Sequence, residues 1–262
     1  MKSFSKSELR EFLEERVHLY NRPRFIETDP IQIPHRFTLK EDIEISGFLT
    51  ALISWGNRTT IIRSAERMMT LMGGAPYDFV MSHSERDLRV AEEFVHRTFN
   101  GTDLITFIVG LRHIYREWGG PETLFALHRS PDSLQPAIHN FRKILFSLPH
   151  LDRSRKHLPD PLAGSAAKRI NMFLRWMVRS DSAGVDFGLW KSISPSLLSC
   201  PLDVHSGNVA RRLGLISRRQ NDARAVAELD NRLRDFDRLD PVKYDYALFG
   251  LGVFERFGAG CR

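Results

Sequence analysis

The spacing of apolar residues constrains the fold most, because it follows the period of an α-helix in nearly every segment of the chain. No segment shows the convincing alternation of apolar and polar residues that marks a half-buried strand. There is also no internal repeat of the kind that builds solenoids or propellers. The sequence therefore predicts an all-α protein.

Local signals at helix ends place the expected helices. Ser5 with Glu8, and Thr38 with Glu41, have the spacing of capping boxes. The helix after Thr38 has so wide an apolar arc that we expect it at the centre of the core. Residues 21–37, which contain three prolines, are expected to form a loop. The expected helices cover residues 5–20, 38–55, 59–72, 102–118, 133–146, 221–236 and 244–254. Pro241, just before the apolar residues of the last helix, is expected at its first helical position.

The chain of 262 residues fits one helical unit over residues 1–262. The segment from Pro149 to Gly164, rich in proline and glycine, is the best internal boundary. It either separates two helical lobes, over about 38–150 and 160–255, or forms one long loop. The N-terminal helix over 5–20 stands outside both ranges.

Composition excludes several classes of protein. The apolar runs are far shorter than the roughly 18 residues that a membrane helix needs, and residues 1–16 contain no apolar signal core. We therefore expect a cytoplasmic protein with no membrane association. Two cysteines, Cys200 and Cys261, cannot build a four-cysteine metal or iron–sulfur site, and a reduced pair is favoured over a disulfide. The histidines are scattered, so we expect no metal site.

Positive charge is concentrated in one part of a chain whose net charge is +6. Residues 152–179 hold seven basic side chains and only two acids, and a second basic cluster covers residues 211–219. A local concentration of this kind favours a polyanionic partner such as nucleic acid, with a solvated helix face as the alternative. The basic residues are Arg153, Arg155, Lys156, Lys168, Arg169, Arg175 and Arg179 in the first cluster, and Arg211, Arg212, Arg218 and Arg219 in the second.

The segment that contains Lys168 reads as a turn followed by a helix. Gly164 and Ser165 stand where the helix should begin, where exposed N–H groups suit a phosphate. Lys168 and Arg175 are seven residues apart and share nearly one helix face. A lysine beside other cations loses its proton more readily, and its free amine can attack an electrophilic carbon to form a Schiff base. The alternative is a lysine that is merely exposed or contacts a phosphate.

Asp203 precedes a helix that carries His205 and residues 209–213. It is well placed to cap that helix. It can also act as a carboxylate that faces the lysine, and the sequence leaves both roles open. His205 by itself is more typical of a structural hydrogen-bonding residue than of a base.

These segments resemble the helix-hairpin-helix DNA glycosylase superfamily, which combines a glycine turn, a lysine-bearing helix and a Pro-x-Asp-x-His segment. Residues 54–60 resemble the superfamily element with the strand-penetrating polar residue, and residues 240–252 resemble its C-terminal helix. The motifs KRxNMFLRWMVR (168–179) and PLDVH (201–205) are similar to those of an uncharacterised bacterial, DUF2400-like family. Archaeal-type 8-oxoguanine glycosylases are distantly similar. The chain departs from the superfamily in lacking the Leu-Pro-Gly-x-Gly hairpin and in carrying Val204 after the aspartate.

The resemblance implies two helical lobes that flank a cleft, and a monomer that excises an oxidised purine such as 8-oxoguanine from double-stranded DNA. It implies Lys168 as the amine nucleophile and Asp203 as its carboxylate partner, with strand cleavage by β-elimination. This chemistry needs no metal and no organic cofactor, so the resemblance implies that the protein has none. Trp55, Phe173 and Trp176 are candidates for stacking on the base, although aromatic residues at helical spacing are more often core. The residues implied for DNA contact are Asn57, Arg58, Lys156, Gly164, Ser165, Ala166, Arg169, Arg175, His205 and Arg211.

Two alternatives stay open from the sequence. The chain can be a non-catalytic helical nucleic-acid-binding protein that retains the fold, or an unrelated helical protein whose basic cluster contacts RNA or an acidic protein. Arg175 can either tune Lys168 or contact a phosphate. The sequence does not identify the lesion or the base opposite it.

Overall fold

A computed structural model describes residues 4–257. These residues are mostly helical, with one two-stranded hairpin, so the all-α prediction is confirmed. None of the described helices is long and apolar enough to cross a membrane. Cys261 lies outside the described residues, and Cys200 is a buried free thiol.

The chain divides into two compact units. The terminal unit combines the chain up to Phe25, Pro131–Ser133 and the chain from Pro161 onward, and the central unit combines Ile26–Ser130 with Leu134–Asp160. In chain order the α-helices are α1 (Lys6–Tyr20), α2 (Lys40–Leu52), α3 (Arg58–Leu71), α4 (Pro76–Ser82), α5 (Glu85–Leu88), α6 (Gly101–Trp118), α7 (Pro121–His128), α8 (Gln135–Leu145), α9 (Lys168–Val178), α10 (Val204–Arg212), α11 (Ala223–Arg234) and α12 (Tyr244–Val253). The strands are β1 (Val95–His96) and β2 (Phe99–Asn100), which pair antiparallel.

The core of the central unit forms around α2, whose residues from Ile43 to Leu52 are all buried. This agrees with the wide apolar arc of its sequence. Phe48 packs edge-on against Phe107 of α6 and Phe141 of α8, with ring centroids 5.9 and 5.4 Å apart. Helix α6 begins with a capping box between Asn100 and Asp103.

The core of the terminal unit forms around α12, which is buried over most of its length. Helix α1 packs against α12, and Leu13 of α1 is fully buried in the same apolar cluster as Leu248 and Leu251. Gly250 makes the close approach possible, because a Cβ atom at this position would lie 2.1 Å from Cδ2 of Tyr20.

Several local predictions are confirmed and others are wrong. The capping box of Ser5 and Glu8 is present at the start of α1. The box predicted at Thr38 is absent, because Leu39 is the N-cap residue of α2 and makes no side-chain cap. The expected loop over 21–37 contains three 3₁₀ turns, Pro23–Thr28, Pro30–Gln32 and Pro34–Arg36, and a 3₁₀ turn over Pro241–Lys243 precedes α12. Proline fixes φ near the value of a helical turn and has no N–H to leave unsatisfied, so short turns begin at these prolines.

Candidate functional site

Lys168 and Asp203, which are 35 residues apart in the sequence, lie together in the terminal unit. Lys168 is the first residue of α9, and Asp203 is the N-cap residue of α10. Their Nζ and Oδ2 atoms are 4.0 Å apart, and the two side chains are 27% and 26% exposed. The structure therefore brings a lysine and a carboxylate to one place where solvent reaches both.

The two oxygens of the Asp203 carboxylate have different partners. Oδ1 accepts hydrogen bonds from the backbone N–H groups of His205 at 2.8 Å and Ser206 at 3.0 Å, and from Ser206 Oγ at 3.2 Å. The Asp203 N–H donates to Ser206 Oγ at 2.9 Å, which completes a capping box. Oδ2 is the oxygen nearest Lys168. Asp203 thus caps α10 and faces the lysine at once, so the two roles that the sequence leaves open are compatible.

The turn before α9 is tightly bonded within the terminal unit. The Gly164 N–H donates to the Pro161 carbonyl at 3.0 Å, and the Gly164 carbonyl accepts from the Ala223 N–H at 3.0 Å. Ser165 Oγ accepts from the Ala167 N–H at 3.1 Å. The sequence predicts that the Gly164 N–H binds a phosphate, but the turn already uses that donor.

Helix α9 begins in an unusual way. Its N-cap residue, Ala167, adopts a left-handed conformation with φ of 46°, and no side chain caps the helix. The N–H groups of a first helical turn without a side-chain cap, together with the positive end of the helix dipole, favour an anion next to Lys168. Burial lowers the pKa of Arg169 in that turn to about 10.

Arg211 is linked through Asn221 to Asp203, the N-cap residue of α10. Its Nη2 atom donates to Asn221 Oδ1 at 2.5 Å, and its Nε donates to the Arg218 carbonyl at 2.8 Å. Asn221 Nδ2 in turn donates to the Asp203 carbonyl at 2.8 Å. These contacts place Arg211 in the framework that holds Asp203. His205, the other residue of this helix implied for DNA contact, is exposed.

Arg175 is buried, with 4% of its side chain exposed, and pairs with two carboxylates. Its Nε donates to Asp186 Oδ1 at 3.2 Å, and its Nη1 pairs with Asp245 of α12. A guanidinium held in this way has little surface to offer a phosphate. We therefore assign Arg175 to a buried ion-pair network and not to DNA contact, which corrects the expectation drawn from the sequence.

The network continues through Arg179, which is 2% exposed. Its Nη1 donates to Asp186 Oδ2 at 3.0 Å, and its Nε donates to Asp240 Oδ2 at 2.9 Å. The ring of Tyr246 lies against both arginines, with its centroid 4.4 Å from Cζ of Arg175 and 5.5 Å from that of Arg179. The pattern of residues does not predict these partners. Asp245 and Asp240 are 70 and 61 residues from the arginines they pair with, and Asp186, although only 11 and 7 residues away, stands in an otherwise unremarkable segment.

Asp245 connects the network to the Lys168 and Asp203 pair. Burial raises its pKa to about 6, the positive charges of Arg175 and Lys168 oppose that rise, and the negative charge of Asp203 adds to it. Its Oδ1 atom also lies 3.7 Å from Cys200 Sγ, three residues before Asp203. Asp245 therefore contacts α9 and the segment that leads to Asp203.

Two of the three candidate base-stacking residues are too buried to stack on a DNA base. Phe173 and Trp176 are fully buried, which agrees with the alternative that aromatic residues at helical spacing belong to the core. Trp55 is partly exposed and belongs to the central unit.

Of the other residues implied for DNA contact, Ala166 is half-buried in the terminal unit, whereas Asn57, Arg58 and Lys156 belong to the central unit. Asn57 is exposed and caps α3, where its Oδ1 accepts from the Thr60 N–H at 3.1 Å. Arg58 is the first residue of α3, and Lys156 is an exposed residue of the 3₁₀ turn Asp152–His157. No group of three or more potential metal ligands occurs within residues 4–257.

The described fold and site define an all-α protein with a solvent-accessible lysine–aspartate pair at the N-termini of two helices. A family model for proteins of unknown function, DUF2400, matches residues 29–254, so the chain belongs to that family. The matched range includes both Lys168 and Asp203. No curated protein and no solved structure matches the chain.

Proposed function

We propose that this protein is a DNA glycosylase with lyase activity that removes an oxidised purine, such as 8-oxoguanine, from double-stranded DNA. The observation that carries the proposal is the 4.0 Å separation between the Lys168 amine and the Asp203 carboxylate, both partly exposed. The all-α fold and the resemblance of the segments around both residues to helix-hairpin-helix glycosylases support it.

In this proposal the damaged nucleotide leaves the base stack, because the carbon that reacts is otherwise inaccessible in the duplex. The unprotonated Lys168 amine attacks C1′ of the sugar, and the bond from C1′ to the purine nitrogen breaks. The base leaves with the bonding electron pair and takes up a proton. Oδ2 of Asp203 stabilises the positive charge that develops on the sugar.

The covalent product then rearranges to a Schiff base between Lys168 and the opened sugar. Loss of a proton from C2′ breaks the bond between C3′ and its phosphate oxygen, which cleaves the strand. This sequence of steps needs no metal ion and no organic cofactor. The uncapped first turn of α9 and the exposed basic side chains supply sites for phosphates.

Borohydride trapping tests the proposal directly. Borohydride reduces a Schiff base to a stable amine, so the wild-type protein mixed with a duplex that contains 8-oxoguanine should yield a covalent protein–DNA adduct. Lys168→Gln should abolish the adduct and leave duplex binding intact. Lys191→Gln, which alters an exposed lysine of the same unit, is the matched control and should trap as the wild type does.

The alternatives give different results. DNA binding without an adduct, over a panel of oxidised, alkylated and deaminated bases, would show a non-catalytic nucleic-acid-binding protein. An affinity that barely changes with salt concentration would argue against every nucleic-acid partner, because phosphate contacts release counterions.

A further inference from the structure

Three segments of the central unit meet around Trp55. They are the loop Trp55–Arg58, the hairpin of β1 and β2 over Val95–Asn100, and the 3₁₀ turn Asp152–His157, and we call them together the basic tip. The ring of Trp55 packs edge-on against His96, with centroids 5.2 Å apart, and stacks on His157, with centroids 5.9 Å apart. One aromatic side chain thus contacts both other segments.

A fully buried carboxylate fixes these segments from inside. Asp103 accepts hydrogen bonds from Ser154 Oγ at 2.7 Å and His157 Nε2 at 3.2 Å, and pairs with Arg153 Nη2 at 3.2 Å. The same Nη2 atom of Arg153 donates to the Thr98 carbonyl at 2.8 Å, in the turn of the hairpin. The hairpin and the 3₁₀ turn are therefore tied to one anchor, and the basic tip is preorganised.

Arg97 occupies an unfavourable position at the turn of this hairpin. Its φ is 56°, a left-handed conformation that glycine, asparagine or aspartate usually adopts in two-residue hairpin turns. Its guanidinium lies against Gly56, where a Cβ atom would be 2.5 Å from Nη1. Arg97 is exposed, and Gly56 is the residue of the Trp55–Arg58 loop that its side chain approaches. A strained residue with an exposed charged side chain points to a function for that side chain.

The charge of the basic tip is strongly one-sided. The three segments contain five arginine or lysine residues and one acid, Asp152, which pairs with Arg155 at 3.1 Å. Asp103 beneath them is fully buried and pairs with Arg153, so the five basic residues exceed these two acids by three charges. The five basic residues are Arg58, Arg97, Arg153, Arg155 and Lys156. Positive side chains clustered on a preorganised surface suit the phosphates of a nucleic-acid backbone.

We infer that the basic tip binds the phosphodiester backbone of duplex DNA and that Arg97 contacts a phosphate there. The inference rests on the proposed function for the identity of the partner. It adds a backbone-binding surface that lies wholly within the central unit. Binding at this surface is independent of sequence, since a phosphate contact reads no base edge.

The test uses the full-length protein and a fluorescently labelled, undamaged duplex of about 20 base pairs, with anisotropy measured over a range of salt concentrations. Arg97→Ala should weaken binding at low salt and lower the slope of log K against log[salt] by about 1, the value for one lost phosphate contact. Duplexes of different sequence should lose affinity equally. Arg86→Ala, on α5 and outside the basic tip, is the matched control and should behave as the wild type.

A second variant separates a DNA contact from loss of folding. Arg97→Gly removes the same side chain and relieves the left-handed backbone, so it should be at least as stable as the wild type but bind DNA as weakly as Arg97→Ala. If either variant keeps the wild-type affinity and salt slope, the inference is overturned. The glycosylase proposal can still hold in that case, and borohydride trapping at saturating protein tests it separately. Absence of DNA binding by the wild type would overturn both.

Discussion

Arg175 and Asp245 form an ion pair that joins α9 to α12 beneath the Lys168 and Asp203 pair. Both members are buried, and Asp186 completes the pairing of the guanidinium. The lysine-bearing helix is thus positioned by buried charges as well as by apolar packing. Buried charges depend on their partners, because removal of one partner leaves the other unpaired in a low-dielectric interior.

Replacing Arg175 with methionine should destabilise the protein by about 3–5 kcal/mol, because Asp245 then loses its positive partner. Arg175 lowers the pKa of Asp245, so its removal raises that pKa above about 6. The loss should therefore shrink as the pH falls to 6 and below, because the unpaired carboxyl group then takes up a proton. Urea unfolding of the variant and the wild type measures this difference in the free energy of unfolding.

A double variant provides the control for this prediction. Arg175→Met with Asp245→Asn leaves no unpaired carboxylate at α12, and Asp186 keeps Arg179 as its partner. The double variant should therefore be more stable than Arg175→Met alone at neutral pH. Equal stability of the two variants would contradict the argument from unpaired charge.

Asp230 makes stability depend on pH in a defined direction. It is buried, accepts a hydrogen bond from the Cys200 N–H at 2.8 Å, and burial raises its pKa to about 6. In the unfolded chain the pKa of an aspartate is about 3.9. The folded state therefore binds the Asp230 proton more tightly than the unfolded chain does. This tighter binding adds to the free energy of unfolding; the addition is complete below the unfolded pKa and is lost as the pH rises through 6.

The expected loss from Asp230 is about 2 kcal/mol between pH 4 and pH 8. Asp230→Asn keeps an oxygen for the Cys200 N–H and does not titrate, so its free energy of unfolding should fall less over the same range. Urea unfolding at both pH values, for the variant and the wild type, gives the comparison. Parallel pH profiles would show that Asp230 keeps an ordinary pKa in the folded protein.

Signals within a few residues of one another allowed much of the fold to be predicted. The helices α3, α6 and α11 were expected because each carries an apolar stripe and a nearby breaker or cap. The hairpin of β1 and β2 was missed, because strands of two residues are too short to show alternation. The capping box expected at Thr38 is absent, so local spacing alone misplaced the start of α2. Lys40 in the first turn of α2 pairs with Glu122, a contact between distant residues that local spacing does not show.

The candidate site was predictable only in part. The closeness of Lys168 and Asp203 was expected from a resemblance, since no periodicity relates residues in two different helices. The burial of Arg175 was not predictable, because it depends on Asp186 and Asp245, which the fold brings to it. A count of charges along the sequence places Arg175 in a basic cluster. In the structure, the carboxylates of Asp186 and Asp245 balance its charge.

The packing of α1 on α12 gives a prediction about Tyr20 and Gly250. A methyl group added by Gly250→Ala would meet the Tyr20 ring at 2.1 Å, so the helices must separate or the ring must move. We expect a loss of about 1–3 kcal/mol in the free energy of unfolding. In a Tyr20→Ala background the same substitution should cost much less. Thermal or urea unfolding of the four proteins measures the coupling, and simple additivity would show that the two residues do not meet.

Asp203 offers the sharpest separation of stability from activity. Asparagine is as good an N-cap as aspartate, whereas alanine is a poor one. Asp203→Asn should therefore keep the cap of α10 and leave stability nearly unchanged, while losing the negative charge beside Lys168 and slowing adduct formation by about 100-fold or more. Asp203→Ala should lose the activity and also about 1 kcal/mol of stability.

Asp222→Asn, which alters the N-cap residue of α11, is the matched control and should trap DNA at the wild-type rate. Single-turnover trapping combined with urea unfolding distinguishes the cases, and a fast Asp203→Asn variant would limit Asp203 to its role as a helix cap.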